Sequence, residues 1–331
     1  MSAPEVFEEF ANSYEADVPA TAAVLRQCGR DPAALELVPA EPSWDVPHRL
    51  LAAVRLLAAR GEVDDFEAAS DPWAVFRSVL LDHGDWIARF VREQPVQTHV
   101  VQRCWVLLPL FLNIARAAQK PLDLIELGAS GGLNLLWDRF FYRFEAGTWG
   151  DPASGVALSG EERAPIPPDL LETKVEIRRR RGIDLNPVDV RSEDGLRLLR
   201  AFRKNDRYAA LLDAATKVFR ENPPELIRGN YLDLLPGLLR QRDVDCLTVV
   251  FQTHSTVYLS EHERHELRMI IDSAGKEGPL GWISTPTPEE HGERRGDYPL
   301  ELAIWPDGQR RIVARTNVHA TWLTWQGADV Q

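Results

Sequence analysis

Apolar positions recur every three or four residues through the first third of the chain. Val6, Phe7, Phe10 and Tyr14 form such a stripe over residues 5–16. Leu50, Leu51, Val54, Leu57 and Ala58 repeat it over 48–59, where Gly61 supplies a stop. That period predicts amphipathic helices. Asp71-Pro72 reads as a helix start, a capping carboxylate followed by the residue best tolerated in the first turn. The helix it opens runs past Trp73, Phe76, Leu80 and Ile87 to Val91, with a break near Gly84. Another is predicted over 96–118, kinked at Pro109. No segment before residue 121 alternates as a strand.

At Pro121 the period changes. Leu122 to Leu127 is a short apolar run between proline and glycine, the signature of a buried parallel strand. Gly128 to Gly132 turns the chain, and Leu133, Leu136 and Trp137 begin a helix. An aromatic strand over 140–144 precedes a Gly/Pro/Ser-rich excursion over 147–168, read as an inserted hairpin or lid. Strands are then predicted over 174–184, 225–227, 246–252 and 280–284, alternating with helices over 194–202, 208–220, 234–240 and 261–273. Residues 300–305 and 312–316 form a hairpin around Pro306-Asp-Gly308. Alternation of strands and helices implies an α/β fold, a doubly wound, mostly parallel sheet behind an N-terminal all-helical domain. The expected division is a helical domain over 1–120 and an α/β domain over 121–331.

Composition narrows the chemistry. The 331 residues, 44% hydrophobic and 27% charged, suit a globular protein with a large core. Cys28, Cys104 and Cys246 are scattered, which points to a reducing compartment and away from a disulfide framework or zinc site. The acidic N-terminus has no signal-peptide pattern, and the longest apolar run, 105–115, falls short of the roughly 20 residues that span a bilayer. A cytoplasmic protein without membrane contact is expected. The net charge of −12 disfavours nucleic acid as a partner. The basic run Arg178 to Arg181 has two readings, a solvated strand edge or an anion-binding rim.

A glycine-rich turn between strand and helix is where α/β folds hold cofactors, because glycines admit close backbone approach and the helix start offers free N–H groups. The dinucleotide pattern Gly-x-Gly-x-x-Gly fails here, since Ser130 and Leu133 occupy the second and third glycine positions. The letters Gly128-Ala-Ser130-Gly-Gly132 do spell a hydrolase nucleophile elbow, with His319 downstream. Such an elbow follows earlier strands of its sheet, and none is predicted. The remaining reading takes Glu126, Gly128 and Gly132 together: an acid two residues before the first glycine and a second glycine four further on.

In these residues the chain resembles class I methyltransferases. The resemblance implies a Rossmann-like sheet, S-adenosylmethionine as cofactor and a small-molecule methyl acceptor. It implies cofactor contacts from Glu126, Gly128, Ala129, Ser130 and Gly132. It also implies a second acid at the end of the next parallel strand, binding the ribose hydroxyls. Asp184 in Gly182-Ile-Asp184-Leu-Asn-Pro187 suits that role, at a longer spacing than usual, and Glu145 competes with it. Asn230 stands where the third loop often carries aspartate, and Gln252 ends the fourth strand. The whole chain is also similar to a bacterial family known as domain of unknown function 2332. The segments that carry this likeness are Leu124 to Arg139, Arg181 to Asp189, and Trp305-Pro-Asp-Gly308 to His319-Ala-Thr-Trp322-Leu-Thr-Trp325.

His254, after the strand 246–252, has two readings: a general base toward the acceptor, or a histidine bonded into its loop. Ser255 and Tyr258 are candidate substrate contacts. His262 and His265 among Glu261, Glu263 and Glu266 are read as a solvated helix face rather than a metal site. His319 near Trp322 and Trp325 is read as edge packing, Asn134 and Asp138 as braces of the glycine turn, Arg139 as an ion-pair partner, and Asp189 as a helix start or a ligand. Two alternatives stay open: a fold relative that binds a nucleotide-like ligand without catalysis, and a serine hydrolase using Ser130. The oligomeric state is left open.

Overall fold

The strands of the chain are β1 (Leu122–Leu127), β2 (Phe141–Phe144), β3 (Gly147–Trp149), β4 (Ala157–Leu158), β5 (Glu161–Ala164) and β6 (Ile177–Asp184). They continue with β7 (Glu225–Arg228), β8 (Leu247–Gln252), β9 (Leu280–Ser284), β10 (Tyr298–Ile304), β11 (Arg311–Thr316) and β12 (Trp322–Trp325). These assignments come from a computed structural model, which describes residues 1–286 and 296–327. Among the described residues nine strands form one mixed sheet in the order β5-β12-β11-β10-β9-β8-β1-β6-β7. The run β7-β6-β1-β8-β9 is parallel throughout. β10, β11 and β12 add antiparallel pairings, and β5 closes the far edge parallel to β12. Because β6 and β7 lie on one side of β1 while β8 and β9 lie on the other, strand order reverses at β1/β8. Open α/β sheets bind ligands at the carboxyl ends of strands beside such a reversal.

The chain divides into two units, Met1–His99 with Val188–Ala210, and Val100–Pro187 with Leu211–Gln331. This differs from a single cut at residue 120. The helix Arg103–Ala118 is buried on every face from Arg103 to Ala115, the mark of a core helix rather than an amphipathic one. It belongs to the sheet unit, where Phe111 meets Phe251 edge-on at 5.2 Å and stacks on Trp137 at 4.4 Å. The opposite face of the sheet is covered by Tyr231–Arg240 and Glu261–Glu277, which bury Leu235, Leu239, Leu267 and Ile271 against Ile125, Leu127 and Val250. Helices therefore cover both faces, which explains why β1 and β8 are apolar without alternation.

The expected excursion over 147–168 resolves into strands. β3 and β4 flank β2 in a small three-stranded sheet, and β5 joins the edge of the main one. The turn after β1 leads into a 3-10 helix, Leu133–Arg139, rather than a long α-helix.

The helical unit contains the predicted break: Pro72–Asp82 ends at His83 and Gly84–Glu93 follows. Asp71 caps the first of these by accepting from the Ala74 N–H at 3.1 Å. The helices Pro19–Cys28 and Pro32–Glu36 were not signalled by periodicity. Helix Glu193–Ala201 packs on Val46–Ala59, and Phe202 meets His48 edge-on at 5.2 Å. At the centre Glu67 accepts from Arg55 at 2.6 Å, Thr21 at 3.1 Å and Arg203 at 2.9 Å. His48 shares a hydrogen bond of 3.1 Å with the Phe202 carbonyl. Among the described residues no helix is long and apolar enough to cross a membrane.

Candidate functional site

The turn after β1 alternates in handedness: Gly128, Ser130 and Gly132 have φ of +73°, +49° and +71°. A glycine is required at 128, because a Cβ there would lie 2.4 Å from the Ser255 Cβ, in a left-handed conformation as well. Gly182 on β6 is needed for a different reason. A Cβ there would sit 2.5 Å from that of Ala129, so the turn folds down onto the neighbouring strand.

That contact is fixed by hydrogen bonds. The N–H groups of Gly128 and Ala129 donate to the Ile183 carbonyl at 2.8 and 3.1 Å, and the Ser130 N–H donates to Asp184 Oδ2 at 2.8 Å. Asp184 Oδ1 accepts from the Asn186 N–H at 2.8 Å. Of the two acids proposed for the end of the second strand, Asp184 is therefore beside the glycine turn. Glu145 is exposed at the β2–β3 turn, where its N–H donates to the Glu162 carboxylate.

Glu126 lies one residue before the end of β1 and is 1% exposed. Its Oε1 accepts from Asn134 Nδ2 at 3.3 Å, while Oε2 is buried without a hydrogen-bond partner. Burial pushes its pKa up to about 8. The Asn134 hydrogen bond and the Arg103 charge oppose that rise, and the Asp184 charge adds to it. Cys104 completes the surroundings, its Sγ 3.4 Å from Asn134 Oδ1. Burial raises the Cys104 thiol far above its ordinary range, so it is inert.

On β8 the buried Gln252 accepts from the Thr285 hydroxyl at 3.3 Å, and Thr285 Oγ1 in turn accepts from the His254 N–H at 2.7 Å. His254 has φ of +62° and packs edge-on against Tyr298 at 4.6 Å. Burial, then the charges of Arg103 and His319, hold its pKa well below the usual histidine value. It is a neutral imidazole at pH 7, so it has the form a base needs and the basicity of a weak one. Arg103 donates to the carbonyls of Val318 and Thr253 at 3.0 and 3.3 Å. Next to His254 is a cavity of about 10 Å³, lined in part by Arg103, Thr285, Thr316 and Asn317. That is about one water molecule's room.

Ser255 does not point outward to a substrate. Its hydroxyl donates to the Leu127 carbonyl at 2.8 Å, and its Cβ covers Gly128. Asn230 caps helix Tyr231–Arg240, accepting from the Leu232 N–H at 2.9 Å. Tyr258 is 56% exposed. Glu263 and Ser260 form a capping box that starts helix Glu261–Glu277. The basic run is internally paired: Arg179 and Arg181 both reach Asp123 (2.8 and 2.7 Å), and Arg180 reaches Asp138 and the Leu135 carbonyl. Arg139 pairs with Asp138 at 3.3 Å. Asp189 holds Arg191 and precedes Ser192, the actual helix cap.

The site thus comprises Glu126, the turn 128–132 and Asp184, with His254 beyond the end of β8. Sequence reasoning missed Arg103 and Thr285. An arginine in the first turn of an otherwise apolar helix was the available signal for the former. For the latter, only the position directly after a buried strand was informative.

Fold and site define an α/β protein with a large, mostly parallel central sheet, a helical N-terminal region and an acid-flanked glycine turn at the strand-order reversal. The chain belongs to the family described as "Uncharacterized protein conserved in bacteria (DUF2332)", which it matches over residues 4–325. No curated protein matches the chain.

Proposed function

We propose that the protein binds S-adenosylmethionine at the carboxyl ends of β1 and β6 and transfers its methyl group to a small molecule. One observation carries this reading: Asp184, from the neighbouring parallel strand, lies against the Ser130 N–H of the glycine turn, at the reversal of strand order. A carboxylate has about four acceptor positions, so Asp184 can keep its two backbone donors and still take two ribose hydroxyls. Glu126 would mark the other end of the cofactor. Neutral His254 is the candidate acceptor of a proton from the nucleophile, and most of the acceleration would come from holding donor and acceptor in line. Gln252 Oε1 supports the His254 loop through Thr285.

A second reading, binding without turnover, is favoured by the engagement of Asn230 as a helix cap and by Ser255 over Gly128. Calorimetry with S-adenosylmethionine tests the site. Binding should be lost in Gly128→Arg and weakened in Asp184→Ala, and binding that ignores both changes rules the site out. Labelling of Ser130 by a fluorophosphonate would instead favour hydrolase chemistry.

A further inference from the structure

The segment between β8 and helix Glu261–Glu277 is packed inside out. Its 3-10 turn, Ser255–Tyr258, buries a hydroxyl and exposes its apolar side chains. Thr256 is buried, and its Oγ1 has no hydrogen-bond partner among the described residues. The next two side chains, Val257 and Tyr258, are exposed. A second unsatisfied hydroxyl lies beside the turn. It belongs to the buried Tyr231 and faces Ser255 without meeting hydrogen-bond geometry to it. Burial pushes the Tyr231 pKa up to about 12, so the phenol keeps its proton and stays a donor. Such hydroxyls destabilise the position that buries them, and the penalty vanishes once water reaches them. The turn is held as follows. Ser255 Oγ donates to the Leu127 carbonyl at 2.8 Å, and the Ser255 Cβ fills the space over Gly128. Upstream, His254 takes left-handed backbone with φ of +62°, which is unfavourable for a residue with a Cβ, and its N–H is held by Thr285 at 2.7 Å. Downstream, the capping box of Ser260 and Glu263 fixes the start of the helix. The turn is therefore pinned at both ends and fastened to β1 by the Ser255 hydroxyl.

We propose that Ser255–Tyr258 is a latch over the glycine turn. Closed, it covers Gly128 and the Leu127 carbonyl. Open, it uncovers both to a ligand, gives the Thr256 and Tyr231 hydroxyls to water, and frees Val257 and Tyr258 to pack against what has bound. The two positions are close in energy because the closed one gains the Ser255 hydrogen bond but leaves two hydroxyls unpaired. A ligand that enters only the open position binds with an apparent affinity set by the open fraction.

For its ligand this inference rests on the S-adenosylmethionine reading, and the test separates the two. The full chain, Ser255→Ala and Thr256→Val are compared by residue-resolved amide hydrogen exchange without ligand and by calorimetry with S-adenosylmethionine. Ser255→Ala removes the closing hydrogen bond, so the open fraction should rise about fivefold. Exchange at residues 254–258 should quicken, and S-adenosylmethionine affinity should rise by about that factor. Thr256→Val keeps the side chain's shape and removes the unpaired hydroxyl, so exchange there should slow and affinity should fall about fivefold. A turn that only packs the fold would lose affinity, or keep it, when Ser255 is truncated. Unchanged or weaker S-adenosylmethionine binding by Ser255→Ala, beside normal binding by the wild type, overturns the latch alone. Exchange at 254–258 that neither variant alters also overturns it. If S-adenosylmethionine binds none of the three while exchange shifts in the two expected directions, the latch stands and the cofactor reading falls.

Discussion

Glu67 in the helical unit and Glu126 in the sheet unit are the same side chain put to opposite uses. Both are largely withdrawn from water, and burial alone would raise both. At Glu67 the two arginines, Arg55 and Arg203, outweigh burial and hold the carboxylate below its ordinary pKa, with Thr21 adding a hydrogen bond. At Glu126 burial wins, because an amide and a more distant arginine are all that oppose it, and Asp184 pushes the same way as burial. The first acid carries its countercharge within the fold and is a structural element. The second has an acceptor left over, and such unbalanced groups cluster where ligands bind. What separates the two acids is whether the fold itself supplies the countercharge.

The sharpest way to break that comparison is Glu67→Ala. Removing the carboxylate leaves the buried Arg55 charge with backbone carbonyls in place of its acid, so urea unfolding should show a loss of about 3–5 kcal/mol. A loss below about 1 kcal/mol would mean that the network is ornamental and the contrast with Glu126 empty. Next in size is His48. Burial first, and then Arg55, lower its pKa to about 4 from an ordinary value of 6.5. The folded state therefore resists protonation. Its stability is full above pH 6.5 and falls as the pH drops to 4, by about 3 kcal/mol at most. Urea midpoints at pH 7 and pH 4.5 measure this, and His48→Gln should flatten the acid limb.

Glu126 should show the reverse trend. Its raised pKa makes the folded state favour the proton, so this contribution is full below about pH 4.5 and is lost as pH rises through 8. Glu126→Gln should match the wild type near pH 5 and exceed it at pH 8.5, read by denaturant titration. A variant less stable than wild type at both pH values would place the acid among structural groups like Glu67. The smallest effect is expected from Ser255→Ala. It removes the donor to the Leu127 carbonyl at a cost of about 1 kcal/mol in thermal or urea unfolding.

Much of this was legible in one dimension. The runs 122–127 and 246–252 announced β1 and β8 because strands buried on both faces need apolar residues at every position. Asp71-Pro72 and Gly84 announced helix ends through local chemistry alone. Glu126, Gly128 and Gly132 were singled out by spacing, whereas Asp184 came from the resemblance at a longer spacing than usual, and its carboxylate accepts from the Ser130 N–H. What escaped depended on contacts far apart in sequence. Ser255 looks like a free hydroxyl until its loop is set against Leu127, and Arg178 to Arg181 read as a solvated strand edge or an anion rim until β6 sets two of them against Asp123. Asn230 is different, since an asparagine just before Tyr-Leu-Asp-Leu-Leu could have been recognised locally as a helix cap. Pairing of β5 with β12, across more than 150 residues, has no signature in either segment.

The departure of Val188–Ala210 to the helical unit, four residues after Asp184, gives the chain a particular order of assembly. During synthesis the first 99 residues emerge without Phe202 and Arg203, so His48 lacks its carbonyl partner and Glu67 has Arg55 and Thr21 without Arg203. That unit completes itself only when the ribosome has passed residue 203, after β1, the glycine turn and Asp184 have already been made. Neither unit can be excised by a single cut, and a fragment ending before residue 188 would hold its helices together around an acid with half its countercharge.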